Sequence, residues 1–331
     1  MRWGLCLLLA MVGIYGPHIM YGTWVYEDLA WVVAAQTGAL GPWWHVRGLM
    51  HWLWQQEWRL SPTPPLYHAI SLLLHLIVTA VAGLLAGRLG LPRTGVWIVV
   101  TLVLLHRLTH EAVAYAAQQG EILAAIGVLG ACVLTAGAWR WWTAPAIVVV
   151  VLGGLGGKDS AIVALALIPL TIWLVHTEWT EPAVWLGALT LVLGWIVVDG
   201  PVALNIGEDA VARVDALDWL LVESTASART FGLLLLPLGL TVDYDYDLVP
   251  RALRWGAVAV LVGLAWGTWG LRHRWRVEAY ALASMLVVLA PRLVVQTPRS
   301  YLSDHQAYLL LPFFGLLVAS VWGRFARATA P

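Results

Sequence analysis

Apolar runs as long as a membrane-spanning helix recur through this chain, and they leave few folds open to it. Residues 3–22, 65–87, 94–108, 111–137, 144–156, 160–176, 183–199, 254–271, 277–295 and 308–323 carry few charges. A bilayer core offers no hydrogen bond to a bare peptide group, so a chain crosses it as helices of about 20 mainly apolar residues. The runs predict an all-α polytopic membrane protein of about ten transmembrane helices, one domain over 1–331 with no soluble domain. A soluble core would not absorb this composition: 60% of residues are hydrophobic and 11% charged, against roughly 45–50% apolar in soluble domains.

The charges are sorted by position. Threading the runs from a cytoplasmic N-terminus places Arg2, Arg88, Arg93, Arg140, Arg272, Arg274, Arg276, Arg324 and Arg327 on one side, in short loops, as the positive-inside rule requires. The opposite face then receives residues 23–64, 106–110, 157–159, 200–253 and 296–307, with nearly all the acids. Two of these segments, 23–64 and 200–253, are long enough to form helices lying on the membrane surface. The run Thr230 to Leu240 holds Pro237 and Gly239 and is too short to cross, so it reads as re-entrant or interfacial. Twenty-two Trp residues suit a protein with much surface at membrane interfaces. Nineteen basic residues balance nineteen acidic ones without a basic run, which argues against a nucleic-acid partner. Cys6 and Cys132 lie in apolar runs and form neither a disulfide framework nor a metal-ligand cluster. With no small-residue cleavage site before Tyr26, the first run reads as an uncleaved span.

Residue types able to do chemistry collect on the acidic face. Glu27 and Asp28 follow the first run, where paired carboxylates serve either as a general base and its neighbour or as a helix cap. His106, His110 and Glu111 occupy a short polar loop, with Glu111 opening a helix whose dipole favours an anion. Lys158 and Asp159 form either an ordinary ion pair and cap or part of the site. Asp243, Asp245 and Asp247 alternate in a segment that suits a hard cation such as calcium, or a solvated turn. Glu121 is expected about ten residues into the fourth run, where a carboxylate is costly and hence a functional candidate, or is partnered by Gln118 or Gln119.

In order, these segments resemble the membrane domain of GT-C glycosyltransferases, above all the transmembrane and tetratricopeptide-repeat O-mannosyltransferases and their bacterial relatives. The resemblance rests on Tyr26-Glu27-Asp28, Arg47-Gly48-Leu49, Leu66-Tyr67-His68, Leu74-His75, His106 to Ala114, Lys158-Asp159 and Pro237 to Asp245. Where that family carries Arg, this chain has Gln119 and Ala307. The resemblance implies a GT-C-like bundle with interfacial helices in the first and the 200–253 outside loops. It also implies inverting transfer of a sugar from a polyprenyl-phosphate donor to a protein or glycan acceptor at the periplasmic or outer face of a bacterial inner membrane. Asp28 would be the base, Glu27 its substitute and Glu111 an accessory acid, with Arg299, Arg229, Arg47 or Lys158 holding the donor phosphate and a divalent metal as an optional cofactor. The other class left open is a GT-C fold without catalysis that serves as a scaffold or subunit of a membrane complex.

Overall fold

A computed structural model of the chain describes residues 2–24, 28–37, 47–138, 140–175, 215–240, 249–294 and 304–328. The expected run at 183–199, and with it Glu27, Asp243, Asp245 and Arg299, lies outside the described residues. Among the described residues the regular structure is helical: α1 (Arg2–Tyr21), α2 (Asp28–Thr37), α3 (Gly48–Leu60), α4 (Pro64–Arg88), α5 (Arg93–Leu105), α6 (Thr109–Ala114), α7 (Gln119–Thr135), α8 (Thr143–Gly157), α9 (Ala164–Val175), α10 (Ala216–Leu235), α11 (Arg251–Leu271), α12 (Arg276–Val294) and α13 (Leu311–Ala328). Short 3-10 turns lead into α7, α9 and α13.

Among the described residues four segments are long and apolar enough to cross a membrane: Pro64–Arg88, Ala116–Thr135, Arg251–Leu271 and Ala307–Ala328. The chain is an α-helical protein of membrane character. Arg93–Leu105, Thr143–Gly157 and Asp159–Val175 are apolar but shorter. The sequence suggests about ten spans because an apolar run records hydropathy and not where the helix stops. The expected run 94–108 ends as a helix at Leu105, where His106 turns to extended backbone.

The expected single run 111–137 is broken. Tyr115 is extended (φ −98°, ψ 104°) between α6 and a 3-10 turn, Ala116–Gln118. No Pro or Gly dictates this break, and its cause is tertiary: the Ala117 N–H that a continuous helix would use internally is given to Asp28 Oδ1 at 2.7 Å. Glu121 therefore sits in the first turn of α7, within the Ala116–Thr135 segment but near its start and not ten residues into an unbroken helix.

The bundle alternates direction so that helix ends gather on two faces. At one face the start of α2 meets the Ala116–Gln118 turn, the α8–α9 connection meets the start of α7, and His106 Nε2 at the end of α5 donates to the Leu234 carbonyl at 3.1 Å. At the other, Arg276 donates to the Trp173 carbonyl at 2.8 Å and Arg324 pairs with Glu278. Helix α10 is tied to the first face at both ends: Trp219 Nε1 donates to the Arg292 carbonyl near the end of α12 (2.9 Å), Asp218 meets Arg251 at the start of α11 (3.4 Å), and Leu234 meets His106. It thus runs along that face. Of the Thr230 to Leu240 run expected as re-entrant or interfacial, Thr230 to Leu235 forms its last turns.

Close packing depends on glycine where α7 crosses α8. A methyl at Gly127 would stand 2.6 Å from both the Gly154 Cα and the Val150 carbonyl oxygen, and one at Gly120 would stand 2.7 Å from the Gly157 carbonyl oxygen. Small residues let two backbones approach, which is how apolar helices gain contact where water gives no drive to associate.

Candidate active site at the acidic face

The site is built around the Ala116–Gln118 turn. Asp28, the first residue of α2, is fully buried and anchors that turn through the Ala117 N–H. One residue on, Gln118 Oε1 accepts from Lys158 Nζ at 3.4 Å. Lys158 in turn lies 2.7 Å from Glu121 Oε1, and Ser160 Oγ donates to Glu121 Oε2 at 2.9 Å. The Lys158 and Glu121 side chains keep only 17% and 6% of their surface, so this is a shielded ion pair, stronger than a solvated one.

Arg47 adds a second cation. Its guanidinium lies 3.8 Å from Asp159 Oδ1, and its backbone N–H donates to the Leu155 carbonyl near the end of α8. Its backbone is left-handed (φ 61°, ψ 8°), a conformation costing a non-glycine residue roughly 1–2 kcal/mol that persists only where surroundings enforce it. Here α3 and α8 do so, holding the guanidinium beside the α8–α9 connection.

Sequence reasoning missed Glu57. It belongs to the buried stripe Met50, Trp54, Glu57 of α3 and is itself fully buried. Gln119 Nε2 donates to Glu57 Oε1 at 2.9 Å and to the Tyr67 carbonyl at 3.2 Å. Burial drives the Glu57 carboxyl up from 4.5 to about 8, with the Gln119 hydrogen bond opposing part of that rise. Trp24, Trp54 and Tyr67 pack edge to face beside it, the Trp54–Tyr67 centroids 4.9 Å apart. Among the described residues Glu57 Oε2, Gln119 Oε1, Trp54 Nε1 and Tyr67 Oη are buried without a hydrogen-bond partner. The sequence signal was an acid seven residues after Met50 on an otherwise apolar face.

The remaining predicted residues stand apart from this group. His106 accepts from the Leu108 N–H at Nδ1 (3.2 Å), which leaves Nε2 protonated to reach Leu234, and burial lowers its basicity. His110 stacks on Tyr15, whose hydroxyl pairs with Thr109 Oγ1 at 2.7 Å. Glu111 is half-buried in the first turn of α6. Arg229 Nη2 donates to the Gly239 carbonyl at 3.0 Å, closing the turn after α10 where Gly239 has φ +67°. Deeper, His75 Nδ1 meets Tyr308 Oη at 2.6 Å, so the residue after Ala307 is tied to α4.

Of the predicted set, then, Asp28, Lys158, Arg47 and Glu121 come together, joined by Glu57. The arrangement can take a proton at a carboxylate and hold negative charge at Lys158 and Arg47. Among the described residues no three His, Cys, Asp or Glu groups meet as metal ligands, and Asp243 and Asp245 lie outside them. No family model, no curated protein and no solved structure matches this chain.

Proposed function

We propose that the chain is a membrane glycosyltransferase of GT-C-like architecture, acting at the non-cytoplasmic face on a polyprenyl-phosphate sugar and an acceptor hydroxyl. One observation carries the reading: Asp28 and the Lys158–Glu121 pair are fastened to the same three-residue turn, through Ala117 and Gln118. In this reading the Asp28 carboxylate takes the acceptor proton as its oxygen attacks the anomeric carbon. The carbon–phosphate-oxygen bond breaks on the opposite face, which inverts the configuration. Negative charge then gathers on the leaving phosphate, and fixed cations facing it lower the barrier. Among the described residues Lys158 and Arg47 are the cations beside the turn; Arg299, outside the described residues, is a further candidate by the resemblance alone. The short loops of the opposite face carry Arg88, Arg93, Arg272, Arg274 and Arg276, in keeping with a site outside the cytoplasm.

A second reading, a scaffold on the same architecture, is favoured by two facts. Asp28 is wholly buried with Oδ1 already on an amide, and Gln119 presents a neutral amide to Glu57. The purified chain with a polyprenyl-phosphate-linked sugar separates the two. Transfer that falls at least ~100-fold in Asp28→Asn, with unfolding temperature retained, supports the enzyme. Donor binding without transfer in the wild type, or equal transfer by Asp28→Asn, overturns the catalytic role and leaves the scaffold.

A further inference from the structure

The face opposite the candidate site carries a feature that the transferase reading does not use. Helix α11 is apolar, yet among the described residues little covers it: along its length Ala257 and Thr268 are buried. Gly256, Gly263, Gly267 and Gly270 are spaced by seven, four and three residues and so share one stripe. A methyl added at any of them would meet nothing within 4 Å. The stripe is a shallow open groove between the exposed side chains of Val260 and Trp266.

At the C-terminal end of the groove the chain turns through Arg272, His273, Arg274 and Trp275 into α12. The Arg272 guanidinium lies over the exposed Trp269 ring, 3.6 Å from its centroid, and Nη1 donates to the Trp269 carbonyl at 2.6 Å. That contact fixes the plane of the guanidinium and leaves further N–H groups to donate. Arg274 is exposed beside it. From α12, Arg276 is engaged with the Trp173 carbonyl; from α13, Arg324 sits over Trp275 (5.2 Å) and pairs with Glu278, and Arg327 is exposed. Among the described residues five arginines thus face one acid at this end, and that acid is engaged by Arg324. An apolar groove ending in fixed, excess positive charge matches a molecule with a hydrocarbon tail and an anionic head.

We propose that this groove and turn form a binding site for an anionic phospholipid, the phosphate on Arg272 and Arg274 and an acyl chain along the glycine stripe of α11. Charge decides against the rival occupant, a second copy of α11. In a parallel pair the two arginine turns would be brought together, and in an antiparallel pair each would meet Arg251 and Arg254 of the other helix.

The test is titration of the full chain in neutral detergent with phosphatidylglycerol or with phosphatidylcholine of the same acyl chains, read by native mass spectrometry and unfolding temperature. Phosphatidylglycerol should bind in preference and raise the unfolding temperature. Each surface arginine contributes about a fivefold factor toward an anionic lipid, so Arg272→Gln with Arg274→Gln should weaken retention roughly 30-fold. Arg107→Gln, on the other face, should leave it unchanged. Gly263→Leu, which fills the groove while keeping every charge, should weaken retention as well. Equal retention of the two lipids by the wild type overturns the proposal even if the double variant fails to fold. So does an unfolding-temperature rise reproduced by inorganic phosphate alone, and so does a dimer that Gly263→Leu abolishes while phosphatidylglycerol retention is unmoved.

Discussion

Replacing Glu57 by Gln should make the protein more stable at alkaline pH, because the native carboxyl occupies a place that tolerates only its neutral form. Its titration lies at about 8 in the folded chain against 4.5 when exposed, with burial as the leading cause and the Gln119 hydrogen bond as the opposing one. The folded state therefore holds a proton that the unfolded state has released throughout that window. Stability contributed by the neutral carboxyl is fully present below 4.5, declines as pH rises, and is gone above about 8. A displacement of this size corresponds to on the order of 5 kcal/mol between the two ends, comparable with the whole stability of many domains, roughly 5–15 kcal/mol. In Glu57→Gln the amide oxygen still accepts from Gln119 Nε2, but nothing ionises. Unfolding temperature followed by tryptophan fluorescence in detergent, from about pH 5 to about pH 9, should fall for the wild type and fall less for the variant. The two should nearly coincide at the acidic end. Groups that titrate in both chains cancel in the difference, so parallel curves for wild type and variant would refute the assignment of Glu57 as a buried neutral acid.

Lys158→Gln should destabilise by about 2–4 kcal/mol, since it leaves Glu121 shielded beside Gln118 and Ser160 without its cation. Adding Glu121→Gln should recover much of that loss, and a denaturation cycle in which the two losses simply add would disprove the coupling. Gly127→Ala should cost about 1–3 kcal/mol because the new methyl meets the α8 backbone at 2.6 Å. At Gly130, by contrast, the same methyl meets only the Val150 side chain at 3.7 Å, and Gly130→Ala should be neutral or mildly stabilising; equal effects at the two glycines would count against the packed seam.

What the sequence could convey follows from what hydropathy and charge encode. Hydropathy along 65–87 and 308–323 located two of the spanning segments to within a few residues, since burial in lipid is a property of every residue in such a run. The arginines of the short loops suggest an orientation by the same logic, each charge reporting its own environment. Glu121 lies closer to a helix start than the unbroken run implied because the break before α7 is made by Asp28, whose partner Ala117 is distant in the chain and has no marked chemistry of its own. Glu57 escaped notice on similar grounds. Next to Trp54 and Trp58 it reads as the polar edge of a surface helix, and only when α4 and α7 bring Tyr67 and Gln119 against it does its face become an interior. Lys158 shows the converse: its charge beside the candidate site was legible, but its engagement by Glu121 was not, and that pairing bears directly on the proposed chemistry. For phosphate to bind there, Lys158 must be shared with Glu121 or released by it. Arg47, held by its left-handed backbone at the start of α3 and with Asp159 at 3.8 Å, is thus the less committed of the two cations.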